Sequence, residues 1–230
     1  MKHRYCADFE TTTEIDDCRV WAYSVTEIGN TEYFKYGNNI ESFMKLLKNH
    51  NESTFYFHNL KFDGEFIMNY LFQNGFTHTE EKILKDNQFS TLISDKGQFY
   101  SIRIQFDNGS KVTIYDSLKI LPFSVEQISK AFGLPMQKLE IDYKAAREVN
   151  HILTEQEIAY IKNDVVIVAE ALAILFKQGL NKMTQGSNAM SDYKKVIGNK
   201  EFTRHFPPPD YDGDIRQAYR GGFTYLQPKY

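Results

Sequence analysis

The stretch from Leu153 to Gly179 constrains the fold more than any other part of the 230-residue chain. Thr154, followed three residues later by Glu157, makes a capping box: hydroxyl and carboxylate each satisfy a backbone N–H that the first helical turn leaves without a partner. Ile158, Ile161, Val165, Val168, Leu172 and Leu175 then recur at a period near 3.6, and Gly179 supplies the residue type that ends a helix. A helix this long, with one apolar stripe, has to lie along a sheet or other helices. Tyr160 and Asp164 are four residues apart on it, hence on one face at the border of the stripe. A carboxylate there needs a partner. Lys162, a distant arginine, or a metal shared with other acids would each serve.

Upstream, strand and helix signals alternate. Residues Arg4–Phe9, Val20–Ile28 and Glu32–Tyr36 are rich in aromatic and β-branched types, with Gly29-Asn30 as a turn, and read as a three-strand meander. Ile40–Leu47 has helical spacing, Thr54–Phe57 reads as a short buried strand, and Asp63–Phe72 returns to helix. Strands are expected at Ser90–Ser94, Phe99–Phe106 and Lys111–Tyr115, with the last two joined through Asp107-Asn108-Gly109. From Gly186 onward order is expected to fall, and Pro207-Pro208-Pro209 with Asp210–Asp214 reads as a linker. The expected architecture is α/β, a mixed sheet flanked by helices over residues 1–185, with a short basic C-terminal extension over 186–230.

Net charge is −3, which argues against a general electrostatic grip on a long duplex. Its distribution is uneven: residues 171–230 hold nine Lys/Arg against five Asp/Glu, and residues 1–170 hold 18 against 25. The acidic part suits metals and the basic end suits phosphates, although a solvated surface also produces such asymmetry. Two cysteines, Cys6 and Cys18, make neither a disulfide framework nor a zinc site. No signal peptide or membrane span is expected, and a reducing cytoplasm fits. The 18 Phe and 15 Tyr suit base stacking as well as a β-rich core.

Asp8 and Glu10 lie two apart on the first strand, so both carboxylates point the same way. Two like charges on one face are costly, and a divalent cation is the usual remedy; alone, such a pair is more often a solvated edge. Asp63 closes His58-Asn59-Leu60-Lys61-Phe62-Asp63-Gly64 at an expected helix start, where an aspartate also serves as an ordinary N-cap. Asn59 adds a neutral amide that can meet a sugar or phosphate without repelling it.

Taken together, Asp8-Phe9-Glu10-Thr11-Thr12-Thr13, the Tyr56–Gly64 segment and Tyr160-Ile161-Lys162-Asn163-Asp164 resemble the 3′–5′ exonucleases with four acidic residues. Within them, the chain is similar to the proofreading domain of protein-primed family B bacteriophage DNA polymerases. Tyr115-Asp116-Ser117-Leu118-Lys119, Lys138 with Ile141-Asp142-Tyr143, Phe176–Leu180 and Tyr219-Arg220-Gly221-Gly222-Phe223 extend the match over nearly the whole chain. Tyr160, four residues before the last aspartate, with Ala159 where another branch has histidine, marks the tyrosine branch.

The resemblance implies a ribonuclease H-like fold and a metal-dependent exonuclease acting on single-stranded or frayed DNA 3′ ends, in the cytoplasm of an infected bacterium. Asp8, Glu10, Asp63 and Asp164 would hold two divalent ions, Mg²⁺ or Mn²⁺; Tyr160 would orient the attacking water or the scissile phosphate, and Lys138 would offset phosphate charge. Thr11, His58, Asn59, Ser117, Leu118 and Tyr143 match strand-contacting positions. Phe62, Tyr56 and Phe66 are candidates for stacking on terminal bases, with core packing equally open for the last two. Tyr219, Arg220, Gly221 and Gly222 resemble the linker toward a polymerase domain whose motifs are absent here, so polymerisation by this chain alone is not expected. A priming terminal protein and that domain are the other implied partners, and a non-catalytic DNA- or terminal-protein-binding fragment is the alternative.

Overall fold

A computed structural model of the chain describes residues 3–14, 16–143, 145–211 and 213. Eight strands form one mixed sheet. They are β1 (Arg4–Thr11), β2 (Val20–Glu27), β3 (Asn30–Gly37), β4 (Ser53–Phe57), β5 (Thr77–His78), β6 (Gln88–Ile93), β7 (Phe99–Gln105) and β8 (Lys111–Asp116). Their order across the sheet is β3-β2-β1-β4-β8-β7-β6-β5. β1, β4 and β8 run parallel at its centre, and antiparallel pairs flank them on both sides. Central parallel strands are covered on both faces, which is why β4 reads as an aromatic, largely buried run while β1 is buried along most of its length.

One face carries α1 (Ile40–Lys48) and α2 (Leu60–Gln73); Phe43, Leu47, Ile67 and Leu71 pack there on Phe55, Phe57 and Ile102. The other carries α3 (Val125–Phe132) and α4 (Glu155–Lys177), whose Ile128, Val165, Val168 and Leu172 are buried with Cys6 and Tyr56. The Thr154–Glu157 capping box forms as its sequence requires. Ser24 on β2 donates to the Ile161 carbonyl at 3.1 Å, which fixes α4 against the sheet. Gly37 closes β3 where the Tyr23 ring leaves no room for a Cβ.

Three expectations need correction. α2 begins at Leu60, not at Asp63: Asn59 takes a left-handed backbone, φ 76°, and turns the chain directly into the helix, so Asp63 lies inside the first turn. Residues after 185 are not irregular throughout, because α5 (Gln185–Ile197) and α6 (Asn199–His205) are helical. Gly198, at φ 82°, separates them. Their large apolar residues Tyr193, Phe202 and Phe206 pack on one another, with ring centroids 5.2 to 6.3 Å apart, so no stripe of core periodicity shows in the sequence. α3 was not expected at all, although Ser124 and Gln127 form a second capping box and Gly133 closes the helix at φ 63°.

The chain forms two compact units, residues 1–188 and 189–230. No helix among the described residues is long and apolar enough to cross a membrane.

Candidate active site

β1 sets the acidic pair. Asp8 pairs with Ser24 and Glu10 with Ala22 on β2, and the ladder shifts register between Glu10 and Thr11, so the strand breaks off just past the second acid. Glu10 is 9% exposed, and Asp8 keeps partial access to solvent. α4, seated on the same sheet face, brings Asp164, which is 4% exposed. One carboxylate oxygen each of Asp8, Glu10 and Asp164 lies within 4.8 Å of the others. Asp63, in the first turn of α2 and 3% exposed, stands outside that set, yet its charge acts on Asp8 more strongly than any other.

Burial and mutual repulsion push every one of these carboxyls upward. Asp8 is driven well above the usual carboxylate range by burial, then by Asp63, Glu10 and Asp164, with Lys138 pulling the other way. Burial raises Glu10 to about 7, with Asp164 adding to it. Asp63 reaches about 8, again chiefly through burial, although backbone hydrogen bonds at Asp63 and Phe9 oppose the rise. Asp164 is raised by burial and held back by Lys138.

Lys138, not Lys162, is the cation at Asp164: its Nζ lies 3.1 Å from Oδ2. Lys162 instead sits over the Phe34 ring. Attraction to Asp164 and the hydrogen bond between them raise the Lys138 pKa against the opposing effect of burial. Tyr160 is 2% exposed, its hydroxyl 2.7 Å from that of Tyr143. Burial, followed by Glu10, pushes the Tyr160 phenol upward, so it stays protonated and donates.

The residues matched to strand contacts spread around this cluster. Thr11 is half-buried at the end of β1. Asn59 is exposed, and its N–H donates to Asp116 Oδ1 at 3.1 Å; the same oxygen accepts from the Leu118 N–H at 3.0 Å. Ser117 Oγ lies 3.0 Å from both the Phe57 carbonyl and His58 Nδ1, and His58 Nε2 lies 2.7 Å from the Phe123 carbonyl. Phe62 is 51% exposed, its ring 5.6 Å from that of half-buried Phe66, which packs on the core. Tyr56 is 6% exposed and packs on Tyr115 and Phe176, so core packing accounts for it, although it also lines a cavity of about 290 Å³ with Asp8, His58, Lys138 and Asp164. Tyr219, Arg220, Gly221 and Gly222 lie outside the described residues.

Two site neighbours were given no role in the sequence, Asp116 being noted only as part of a matching segment. Asp116, 1% exposed, ties the Asn59 and Leu118 segments together as described. Arg147, 7% exposed, forms an ion pair with Glu157 at 3.0 Å. The capping box marked Glu157 only as a cap, and nothing local marked Arg147.

The donors fit a hard divalent cation. Oδ1 of Asp63 and Oδ1 of Asp164 are buried with no hydrogen-bond partner among the described residues. Orphaned carboxylate oxygens at this depth are costly, and an all-oxygen set of acids is what Mg²⁺ or Mn²⁺ takes. A carboxylate cluster with a cation-paired aspartate and a buried phenol is suited to polarising and cleaving a phosphate ester.

The chain belongs to the type B DNA polymerases of organelles and viruses: that family matches residues 44–157 and 146–230. Among its relatives, the DNA polymerase of Bacillus phage Nf is 48% identical over 98% of this chain and 40% of the relative. The DNA polymerase of Bacillus phage phi29 is 46% identical over 100% of this chain and 41% of its own length. The structure of phi29 DNA polymerase complexed with single-stranded DNA superposes with TM-score 0.87 at 44% identity, covering 99% of this chain and 41% of that one. The complex with primer-template DNA and incoming nucleotide gives 0.88 at 44% identity, with 99% and 40% covered. The chain thus spans about two fifths of the length of these relatives. The resemblance to protein-primed phage polymerases holds at the level of family, and the mixed α/β sheet with flanking helices matches the corresponding region of the phi29 enzyme.

Proposed function

We propose that this chain is the proofreading part of a protein-primed phage DNA polymerase, a 3′–5′ exonuclease of ribonuclease H-like fold acting in the infected cell's cytoplasm. The observation that carries the reading is the buried acid cluster: Asp8, Glu10 and Asp164 with oxygens within 4.8 Å, and orphaned oxygens on Asp63 and Asp164. A module that only held DNA has no use for four acids beside a phosphate, which they repel.

Asp8, Glu10, Asp63 and Asp164 would hold two divalent ions, which when bound neutralise charge on the attacking and leaving oxygens of the phosphodiester. The chain's own groups then divide the remaining work. Tyr160, kept protonated, donates its hydroxyl proton to the attacking water or the scissile phosphate and so orients it. Lys138 faces the same cavity as Asp8 and Asp164, where its ammonium offsets phosphate charge. Phe62, half in solvent, offers a ring to an unpaired base, and Asn59, Thr11, Leu118, His58 and Tyr143 line the approach of the strand, whereas Ser117, fully buried, acts there only by holding His58. Residues 1–185 would form the nuclease, and the basic end over 186–230 the connection with a polymerase domain and a terminal protein.

The test is mononucleotide release from a 5′-labelled single-stranded oligonucleotide with Mg²⁺ or Mn²⁺ against EDTA, for wild type and Asp8→Ala/Glu10→Ala. A metal-dependent ladder from the 3′ end, abolished in the double variant, is expected. An intact oligonucleotide bound by folded wild type would make this a DNA-holding fragment instead.

A further inference from the structure

Arg147, on the segment between α3 and α4 that also carries Tyr143, forms a buried ion pair with Glu157 in the first turn of α4. Their side chains are 4% and 10% exposed. Burying two charges costs several kcal/mol per ion unless geometry and hydrogen bonds compensate, so the contacts they make are informative. The Arg147 guanidinium donates from Nε to Glu157 Oε1 at 3.0 Å, from Nη1 to the Ala145 carbonyl at 3.1 Å and from Nη2 to the Asp142 carbonyl at 2.9 Å. Asp142 and Ala145 stand on either side of Tyr143. The guanidinium also lies 3.9 Å from the ring centre of Trp21, which is 2% exposed on β2.

Glu157 completes the arrangement from the first turn of α4. Its Oε2 lies 2.8 Å from His151 Nε2 and accepts from the Thr154 N–H at 2.9 Å. Burial alone would raise its pKa, yet the Thr154 N–H, His151 and Arg147 hold it down to about 2. Glu157 sits one turn before Tyr160 on the same helix. One ion pair therefore fixes the backbone around Tyr143 and the helical turn that carries Tyr160, and the two phenols meet at 2.7 Å.

We propose that Arg147 and Glu157 are positioning residues: their buried pair clamps the Tyr143 segment onto the first turn of α4, and thereby sets the orientation of Tyr160 toward the reacting phosphate. The inference rests on the exonuclease reading for its kinetic consequence, but not for its structural one. Only a forked, planar cation reaches Glu157 and two carbonyls at once while its centre sits over Trp21, so lysine does not substitute. Displacing a positioned group by an ångström is enough to cost about 10- to 100-fold in rate while leaving the strand bound.

The test compares wild type, Arg147→Met/Glu157→Leu and Arg147→Lys. Replacing both ions with apolar residues of similar size keeps the segment filled, and such replacements are often neutral in stability. The measurements are kcat and KM for mononucleotide release, oligonucleotide affinity in EDTA, thermal unfolding, and the ring-carbon NMR signals of Tyr143 and Tyr160, assigned with phenylalanine variants. Expected in both variants are a kcat lowered about 10- to 100-fold, a smaller weakening of KM and of EDTA affinity through Tyr143, and altered signals for both tyrosines. Wild-type kcat in folded double variant, or full activity in Arg147→Lys, overturns the proposal. Should the double variant fail to fold, Arg147→Lys alone decides it by the same readings. If wild type itself releases no nucleotide, the exonuclease reading fails, and the tyrosine signals decide the clamp: unchanged signals in the variants overturn it, changed ones uphold it.

Discussion

Asp8→Asn measures how far the acid cluster opposes folding when no cation is present. The amide has nearly the shape of the carboxylate, so the β1 ladder and its packing persist, while one of three charges within 4.8 Å is removed. Two unit charges at 4.8 Å repel by about 3.5 kcal/mol in an effective dielectric of about 20, and Asp8 faces both Glu10 and Asp164. Lys138, the partial solvent access of Asp8 and proton uptake by the cluster offset most of this, leaving a net gain of about 2 kcal/mol in alkaline solution.

The pH dependence follows from the direction of the shifts. Glu10 titrates near 7 and Asp63 near 8 in the folded protein, and both titrate near 4 when unfolded. Between those values the folded state holds protons that the unfolded state has released, so wild-type stability falls as pH rises from about 4 through about 8. Near pH ~6 Glu10 and Asp63 are largely protonated and the substitution relieves little repulsion; above pH ~8 both carry charge and its effect is larger. For a chain of this size, about 2 kcal/mol corresponds to roughly 4–8 °C in Tm. Thermal unfolding followed by circular dichroism in EDTA is therefore expected to show Asp8→Asn melting above wild type at the higher pH and level with it at the lower. Saturating Mn²⁺ should raise wild type and barely move the variant. A variant that melts below wild type in alkali, or a gap equal at both pH values, refutes the view that these acids are held together against their own repulsion.

Asn59→Gly should gain about 0.5–1 kcal/mol in urea unfolding, because the φ of 76° that Asn59 adopts costs glycine nothing; the same variant should bind single-stranded oligonucleotide more weakly, since the amide is lost. Unchanged affinity would remove Asn59 from the strand's path. Gly37→Ala places a Cβ against the Tyr23 ring and should cost about 1–3 kcal/mol in the same measurement, and a neutral result would mean that Tyr23 moves aside freely.

Local patterns in the sequence carried the parts of the fold that local physics decides. The Thr154–Glu157 box, the stripe on α4 and the alternation of Asp8 with Glu10 each follow from neighbours a few residues apart, and the structure has them. What escaped was set elsewhere. The start of α2 depends on Asn59 adopting a left-handed backbone held by Asp116, 57 residues away. α5 and α6 are built around a small set of aromatic rings that contact each other, which no helical stripe announces. α3 was readable, since Ser124 and Gln127 have the spacing of a capping box and Gly133 follows; its short span gave the pattern little to repeat over. Lys138 as the partner of Asp164, and Arg147 as that of Glu157, follow from tertiary approach, for which a single sequence offers no period.

The order of segments along the chain bears on how the protein is made. Asp8 and Glu10 precede the other acids in synthesis, and β2 and β3 can zip onto β1 soon afterwards. Asp63 follows once α1 has crossed over to let β4 join, whereas Asp164 arrives about a hundred residues later, on a helix that must find the finished sheet. The nascent chain therefore meets the repulsion among Asp8, Glu10 and Asp63 first, and Asp164 adds its charge only when α4 docks. A cation held by these acids would therefore tie together segments that reach the sheet at different times.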